Sequence, residues 1–352
     1  MKSDLYKYQI DRSSNLQKIA ENLGLNVKQL KEFHNNNSLP HEWIKDDDKF
    51  PTWLHYLYIP DSEINLIENK KQKESLDFVS LKQIQIDTAK YKINQKNDLR
   101  VSGNSMIDSE TEIIWEVSKQ KKQNVFFSDI RQVSHQVKYI KSIYRQFAEY
   151  MQKFNKPLEH LFVEMTNGGG IQSIANQDEI WSNWILLRKS LETENSSSIE
   201  EKNILEGGDI DFQDTLPLIK NNILYNLFFN DCYQDYNQTG KFIEEKKKQY
   251  NSQAFNNEKV NITVKRKVEK EGNVAKIKFL CESDSNNNQH LKEIYNSRLK
   301  EFLKENYDYS LIWSIEYHFD IEKGMMFFCQ SKIKEKVSSN YIHSMEHKIE
   351  LI

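Results

Sequence analysis

The chain has 352 residues and a formal net charge of −3, with 29 % charged and 12 % aromatic residues. That length allows a sizeable core and two or three domains. The near-balanced charge leaves no electrostatic footprint for nucleic acid, and the aromatic content separates the chain from disordered sequences of similar polarity.

The opening "MKSDLYKYQIDRSSN" lacks the apolar run of a signal peptide, and no later segment has the ~20 apolar residues of a membrane span. "ILYNLFFNDCY" (223–233) is too short and carries Asn and Asp. The three cysteines, Cys232, Cys281 and Cys329, are odd in number and widely spaced. This suits reduced, partly buried thiols and argues against a disulfide framework. A cytoplasmic protein with no membrane partner is the expectation, with delivery outside by a secretion machine as its variant.

The first sixty residues carry the clearest pattern. Tyr8 to Ile10 reads as a short strand. Ser14 stands three residues before Gln17 in a capping-box arrangement, and Leu16, Ile19, Ala20 and Leu23 follow at helical spacing. Gly24 sits where a left-handed residue ends that helix. Asn26 caps a second helix with apolar Val27, Leu30 and Phe33, and Leu54 to Pro60 forms a second strand. The order is strand, helix, helix, strand.

With these residues, and with Asn35 and the "LYIP" of Leu57 to Pro60, the segment resembles the LysM module. The resemblance covers only the first sixth of the chain. It implies a groove for N-acetylglucosamine polymers, peptidoglycan or chitin, lined by the loops Asp11, Arg12, Ser13, Ser14, Asn15 and Asn35, Asn36, Asn37, Ser38. Two departures weaken the sugar expectation. Ser13-Ser14-Asn15 replaces the family's usual Gly-Asp-Thr, and the second loop is lengthened by a stretch containing Trp43, Trp53 and Asp46-Asp47-Asp48. The two tryptophans could stack on sugar or partner surfaces, but packing of the loop on a small module is the favoured reading. The aspartate run lacks the ligand spacing of a calcium loop and reads as a solvated turn.

Residues 63–80 form a charged linker. From 81 the pattern changes to two-residue alternation: "KYKIN", "TEIIWEVSK" and "QNVFFSDIRQV" read as antiparallel strands. A helix is expected in 137–154. A strand, glycine turn and strand follow in 158–174, then a helix over "NQDEIWSNWILLRKSLE". "SIEEKNILEGGDIDFQ" reads as a loop and "LIKNNILYNLFFNDCYQDY" as one buried helix. A hairpin with Glu271-Gly272-Asn273 at its tip, an exposed helix in 290–307 and a hairpin turning through Asp320 to Gly324 complete the body. The fold class is therefore α+β: a small βααβ module (1–62), then antiparallel hairpins covered by helices. The parts recur in 81–200 and 201–352, as two similar lobes would give.

Three patterns were weighed for chemistry. "HSMEH" (343–347) fits the H-x-x-E-H order of one class of zinc peptidases, yet its flanks alternate like a strand, where two histidines four residues apart cannot adopt the helical ligand geometry. The glycine triplet Gly168 to Gly170 leads into a strand-like stretch, not a helix, so a positive-φ turn accounts for it better than a phosphate loop does. No nucleophile signature occurs. The expectation is a non-catalytic binding or adaptor protein without cofactor or metal. Its LysM-like module would dock the body onto a protein assembly such as a contractile injection or secretion system, since modules of this type occur in the baseplates of contractile phage tails. The alternatives are a cell-wall glycan binder and an immunity-type inhibitor or unrecognised enzyme.

Overall fold

The computed structural model describes residues 5–10, 15–23, 25–45, 49–51, 54–60, 78–194, 199–237, 239–245, 247–284 and 288–352. The chain divides into two compact units, Met1–Asp77 and Phe78–Ile352.

In the first unit, β1 (Leu5–Gln9) pairs antiparallel with β2 (Tyr56–Pro60), Leu5 opposite Pro60. Helices α1 (Leu16–Leu23) and α2 (Val27–Asn37) lie between them in sequence. Asn15 caps α1: its Oδ1 accepts the Lys18 N–H at 2.7 Å; Ser14 lies outside the described residues. The Leu25 N–H closes on the Ala20 carbonyl at 2.9 Å, the bond of a Schellman termination; Gly24 itself is outside the described residues. Asn26 caps α2 as its sequence position suggested, accepting from the Lys28 and Gln29 amides. Leu16, Ile19, Ala20, Leu30, Leu57 and Ile59 close the core.

The second unit is built on one antiparallel sheet. Its strands are β4 (Ile86–Val101), β5 (Asn104–Lys122), β6 (Val125–Ile140), β7 (His160–Met165), β8 (Ile171–Ile174), β10 (Ile243–Glu244), β11 (Lys248–Asn251), β12 (Lys259–Glu271), β13 (Val274–Ser283), β14 (Ser310–Asp320), β15 (Met325–Ser338) and β16 (Tyr341–Leu351). The order is β10-β12-β13-β14-β15-β16-β4-β5-β6-β7-β8, with β11 also on β12. Two-residue strands β3 (Val79–Ser80) and β9 (Asp235–Tyr236) pair separately. The strands of the two expected lobes are thus not separate bodies. β16 runs antiparallel along β4 from Tyr341↔Val101 to Leu351↔Tyr91 and fuses them.

Period-two alternation gives the sheet a dry face and a wet one. Tyr91, Ile93, Trp115, Ile130, Leu161 and Val163 point into the larger core, under Ile180, Trp184, Ile219 and Leu227 of the helices. A second cluster joins Ile262, Val264, Leu311 and Ile333 to Leu291, Tyr295 and Leu303. On the other face, lysine and glutamate pair across strands: Lys92–Glu112 at 2.6 Å, Lys138–Glu112 at 2.9 Å and Lys265–Glu282 at 2.9 Å.

Four local expectations change. Residues 137–140 extend β6, so the helix, α3, spans only Arg145–Gln152. After α4 (Gln177–Glu194), the expected loop is a helix, α5 (Ile199–Gln213). It contains the pair Gly207-Gly208. Gly208 lets α5 approach Trp184, because a Cβ there would lie 2.4 Å from the indole. Trp184 is fully buried, donates to Asp209 at 2.9 Å and packs on Phe154 and Phe212. The single expected helix over 218–236 is two, α6 (Thr215–Asn221) and α7 (Ile223–Phe228), the second capped by Asn222. The helical stretch 289–303 is largely exposed, as expected, but contains a π segment, Tyr295–Leu299, and buries Tyr295 together with Leu291 and Leu303.

The Gly207-Gly208 pair yields an asymmetric prediction. Gly208→Ala should destabilise the body by about 1–3 kcal/mol through overpacking on Trp184. Gly207→Ala, whose Cβ meets nothing within 4 Å, should be neutral or stabilising by up to about 1 kcal/mol. Urea unfolding of the two variants measures both.

Candidate functional site

Of the loop residues the sequence proposed, Asp11, Arg12, Ser13, Ser14 and Trp53 lie outside the described residues, as do Asp46 to Asp48. Asn15 is occupied in capping α1. Asn35 is also committed: its Nδ2 donates to the Ile44 carbonyl at 3.0 Å and its Oδ1 accepts the Ile44 N–H at 2.8 Å. This two-point amide clasp ties the long loop to α2. Asn37 donates to the Phe33 carbonyl at 2.8 Å, and Asn36 is exposed. Trp43 donates its Nε1–H to the Ser38 carbonyl at 3.3 Å while 47 % of the residue stays exposed. The tether fixes an aromatic ring at the surface, so the loop is anchored by Asn35 and leaves Trp43 on display.

The module's organising polar group is a histidine that no sequence motif singles out. His34 is fully buried. Its Nδ1 accepts the Tyr58 N–H at 3.1 Å, and the opposite ring nitrogen, Nε2, lies 3.2 Å from the Glu42 carbonyl. An acceptor at Nδ1 and a donor at Nε2 require the neutral Nε2–H tautomer. Burial holds the pKa below its ordinary value of about 6.5. One imidazole thereby joins α2, the loop and β2. Its only sequence signal is that it follows Leu30 by four residues on the apolar face of α2.

His34→Ala should cost the module about 2–4 kcal/mol through a cavity and two stranded backbone groups. The pH dependence has a definite sign. Between the lowered folded pKa and about 6.5 the folded state binds fewer protons than the unfolded one, so stability is full above about pH 6.5 and declines as pH falls through that window. Amide resonances of Leu57 and Ile59, followed in urea at about pH 5 and about pH 7.5, should show the earlier loss at the lower pH, and His34→Gln should flatten the difference.

In the body, a cavity of about 510 Å3 opens on the dry face of the sheet, floored by β12, β13 and β14. It lies at the seam between the two hydrophobic clusters, where Phe279 and Trp313 belong to the margins of both. Its far wall is the segment 229–234. The glycine triplet holds that wall. Gly169 has φ +102°, the positive value expected of the turn, and a Cβ there would fall 2.5 Å from the Tyr233 ring. The Tyr233 N–H donates to the Gly168 carbonyl at 3.0 Å, while Thr166 Oγ1 donates to Asp231 and accepts the Gly170 N–H. Behind the wall, Lys119 donates to the Tyr233 hydroxyl at 3.1 Å, and burial pushes its pKa down to about 8.

The charges at the rim are unequal in their commitments. Arg266 pairs with Glu245 at 2.8 Å and lies 4.6 Å over the Tyr236 ring. Lys248 has no ion pair among the described residues; its ammonium is within electrostatic reach of the Cys232 and Cys281 thiols, which also line the cavity. Burial keeps both thiols protonated, pushing Cys281 up to about 12 and Cys232 higher, so neither serves as a nucleophile at ordinary pH. The strand bearing Lys248 is fixed just beyond its end by buried Glu335. That carboxylate accepts from Ser252, Tyr309 and the amides of Gln253 and Ala254. Burial nonetheless raises its pKa.

His343 and His347 stand on β16 as the strand reading required. Two pleat repeats put them ~13 Å apart. His343 bonds to Asn97, and His347 is buried with a pKa pushed down to about 4. Among the described residues no group of three or more His, Cys, Asp or Glu side chains could hold a metal ion, and no helix is long and apolar enough to cross a membrane. No protein-family model matches the chain, and no curated protein is significantly similar to it in sequence.

Proposed function

We infer that the chain is a non-catalytic binding protein whose N-terminal unit is a LysM-like module docking the α+β body onto a protein assembly, such as a contractile injection or secretion system. The observation that carries this reading is the arrangement of residues 5–60: two helices between two strands that pair antiparallel, closed by the apolar set Leu16, Ile19, Ala20, Leu30, Leu57 and Ile59. The commitment of Asn15 and Asn35 to internal bonds favours a protein partner over a sugar, because a glycan groove depends on free polar groups to orient hydroxyls.

A second reading, a binder of peptidoglycan or chitin, is favoured by exposed Trp43, whose ring could stack on a sugar face. The two readings separate with one substitution and two ligands. The full chain should sediment with purified sacculi or chitin no more than a control protein does. From the native host it should recover a defined large complex, which Trp43→Ala weakens. Saturable retention on sacculi that Trp43→Ala abolishes would transfer the assignment to the glycan, and recovery as a lone monomer would remove the adaptor reading.

A further inference from the structure

We propose that the cavity over β12, β13 and β14 is a binding site for a small organic carboxylate with an apolar or aromatic body. Two independent features converge there. First, the floor is apolar and incompletely covered: Phe279, Trp313 and Ile315 lie on the dry face of the sheet yet remain only partly buried. A volume of about 510 Å3 falls in the range of small-molecule sites. Second, the rim offers two cations with no ion pair among the described residues, Lys220 and Lys248. Arg266 is neutralised by Glu245 and covered by Tyr236, whereas Lys248 faces two protonated thiols and no carboxylate among the described residues. A cation beside an apolar cavity selects an anion whose remaining surface is apolar.

The other charges of the cavity fit this assignment. Asp231 is held away by the Gly168–Gly170 turn and Thr166, so it does not compete for Lys248. The thiols, kept protonated by burial, add polarisable apolar surface and no negative charge. A sugar would be a poorer occupant, since the floor presents mostly aliphatic and aromatic carbon.

The carboxylate could belong to an aryl acid or to a short acyl chain, and calorimetry on the full chain tells them apart. The probes are 2-naphthoate and octanoate, each beside its neutral alcohol. The expected result is saturable one-to-one binding of at least one acid, with the matching alcohol about tenfold weaker or more, as loss of a charge-assisted contact requires. Lys248→Met should weaken the acid by about tenfold and leave the alcohol unchanged, and Ile315→Trp should block both by filling the floor. Lys248 is exposed on a short edge strand, so that variant is not expected to unfold; a melting curve matching wild type checks it. Absence of saturable binding for both acids, or acid binding indifferent to Lys248→Met and to Ile315→Trp, would overturn the proposal.

Discussion

The antiparallel pairing of β16 with β4 is the contact on which the body depends. Without it, β12 to β15 and β5 to β8 would be two sheets, each with an open edge. The register from Tyr341↔Val101 to Leu351↔Tyr91 places Ile349 opposite Ile93, both fully buried. A slip of one residue would set the apolar face of one strand beside the charged face of the other. The same register fixes the wet face, where Lys92 and Lys138 share Glu112. Such half-exposed pairs contribute little energy each. Their main effect is to make the wrong face costly to bury.

The dry face is not uniformly apolar. Along the seam between the two clusters run Arg266, Phe279, Ile315, Ser331, His347 and Gln95, each opposite the next on neighbouring strands. Trp313, one row over, donates to Ser331 at 2.8 Å, and Glu335 gathers four donors four residues further along β15. Buried polar groups of this kind are tolerated where their partners are fixed. They also prevent the two hydrophobic clusters from merging, and the cavity is the space that results.

Much of this architecture is written locally. The alternation of "TEIIWEVSK" and "KVNITVKRKVEK" is unambiguous because one face meets water, and the glycine triplet names its own turn. The order of the strands is not local: nothing near residue 345 says that its neighbour is residue 97. The helix at 199–213 was hidden because Gly207-Gly208 reads as a breaker until Trp184, in another helix, supplies the reason for Gly208. His34 was invisible for a similar cause, since its two partners, Glu42 and Tyr58, are contributed by distant backbone. The cavity draws on segments from residue 168 to residue 317, so no window of sequence contains it. The loop clasp of Asn35 required knowing where Ile44 folds back.

The β16–β4 pairing also sets a schedule. Some 240 residues separate partners such as Tyr341 and Val101, and contacts of that separation close late because loop entropy must be overcome first. As the chain emerges from the ribosome, β4 and β5 can pair early as a hairpin, but the far edge of β4 stays bare until β16 has been made. Sixteen residues of unpaired backbone are then open to any other strand, including the β4 of a neighbouring nascent chain. Lys90, Lys92 and Lys96 of that strand pair with Glu116, Glu112 and Glu110 of β5, so once the hairpin has formed the waiting edge is flanked by a charged face and not an apolar one.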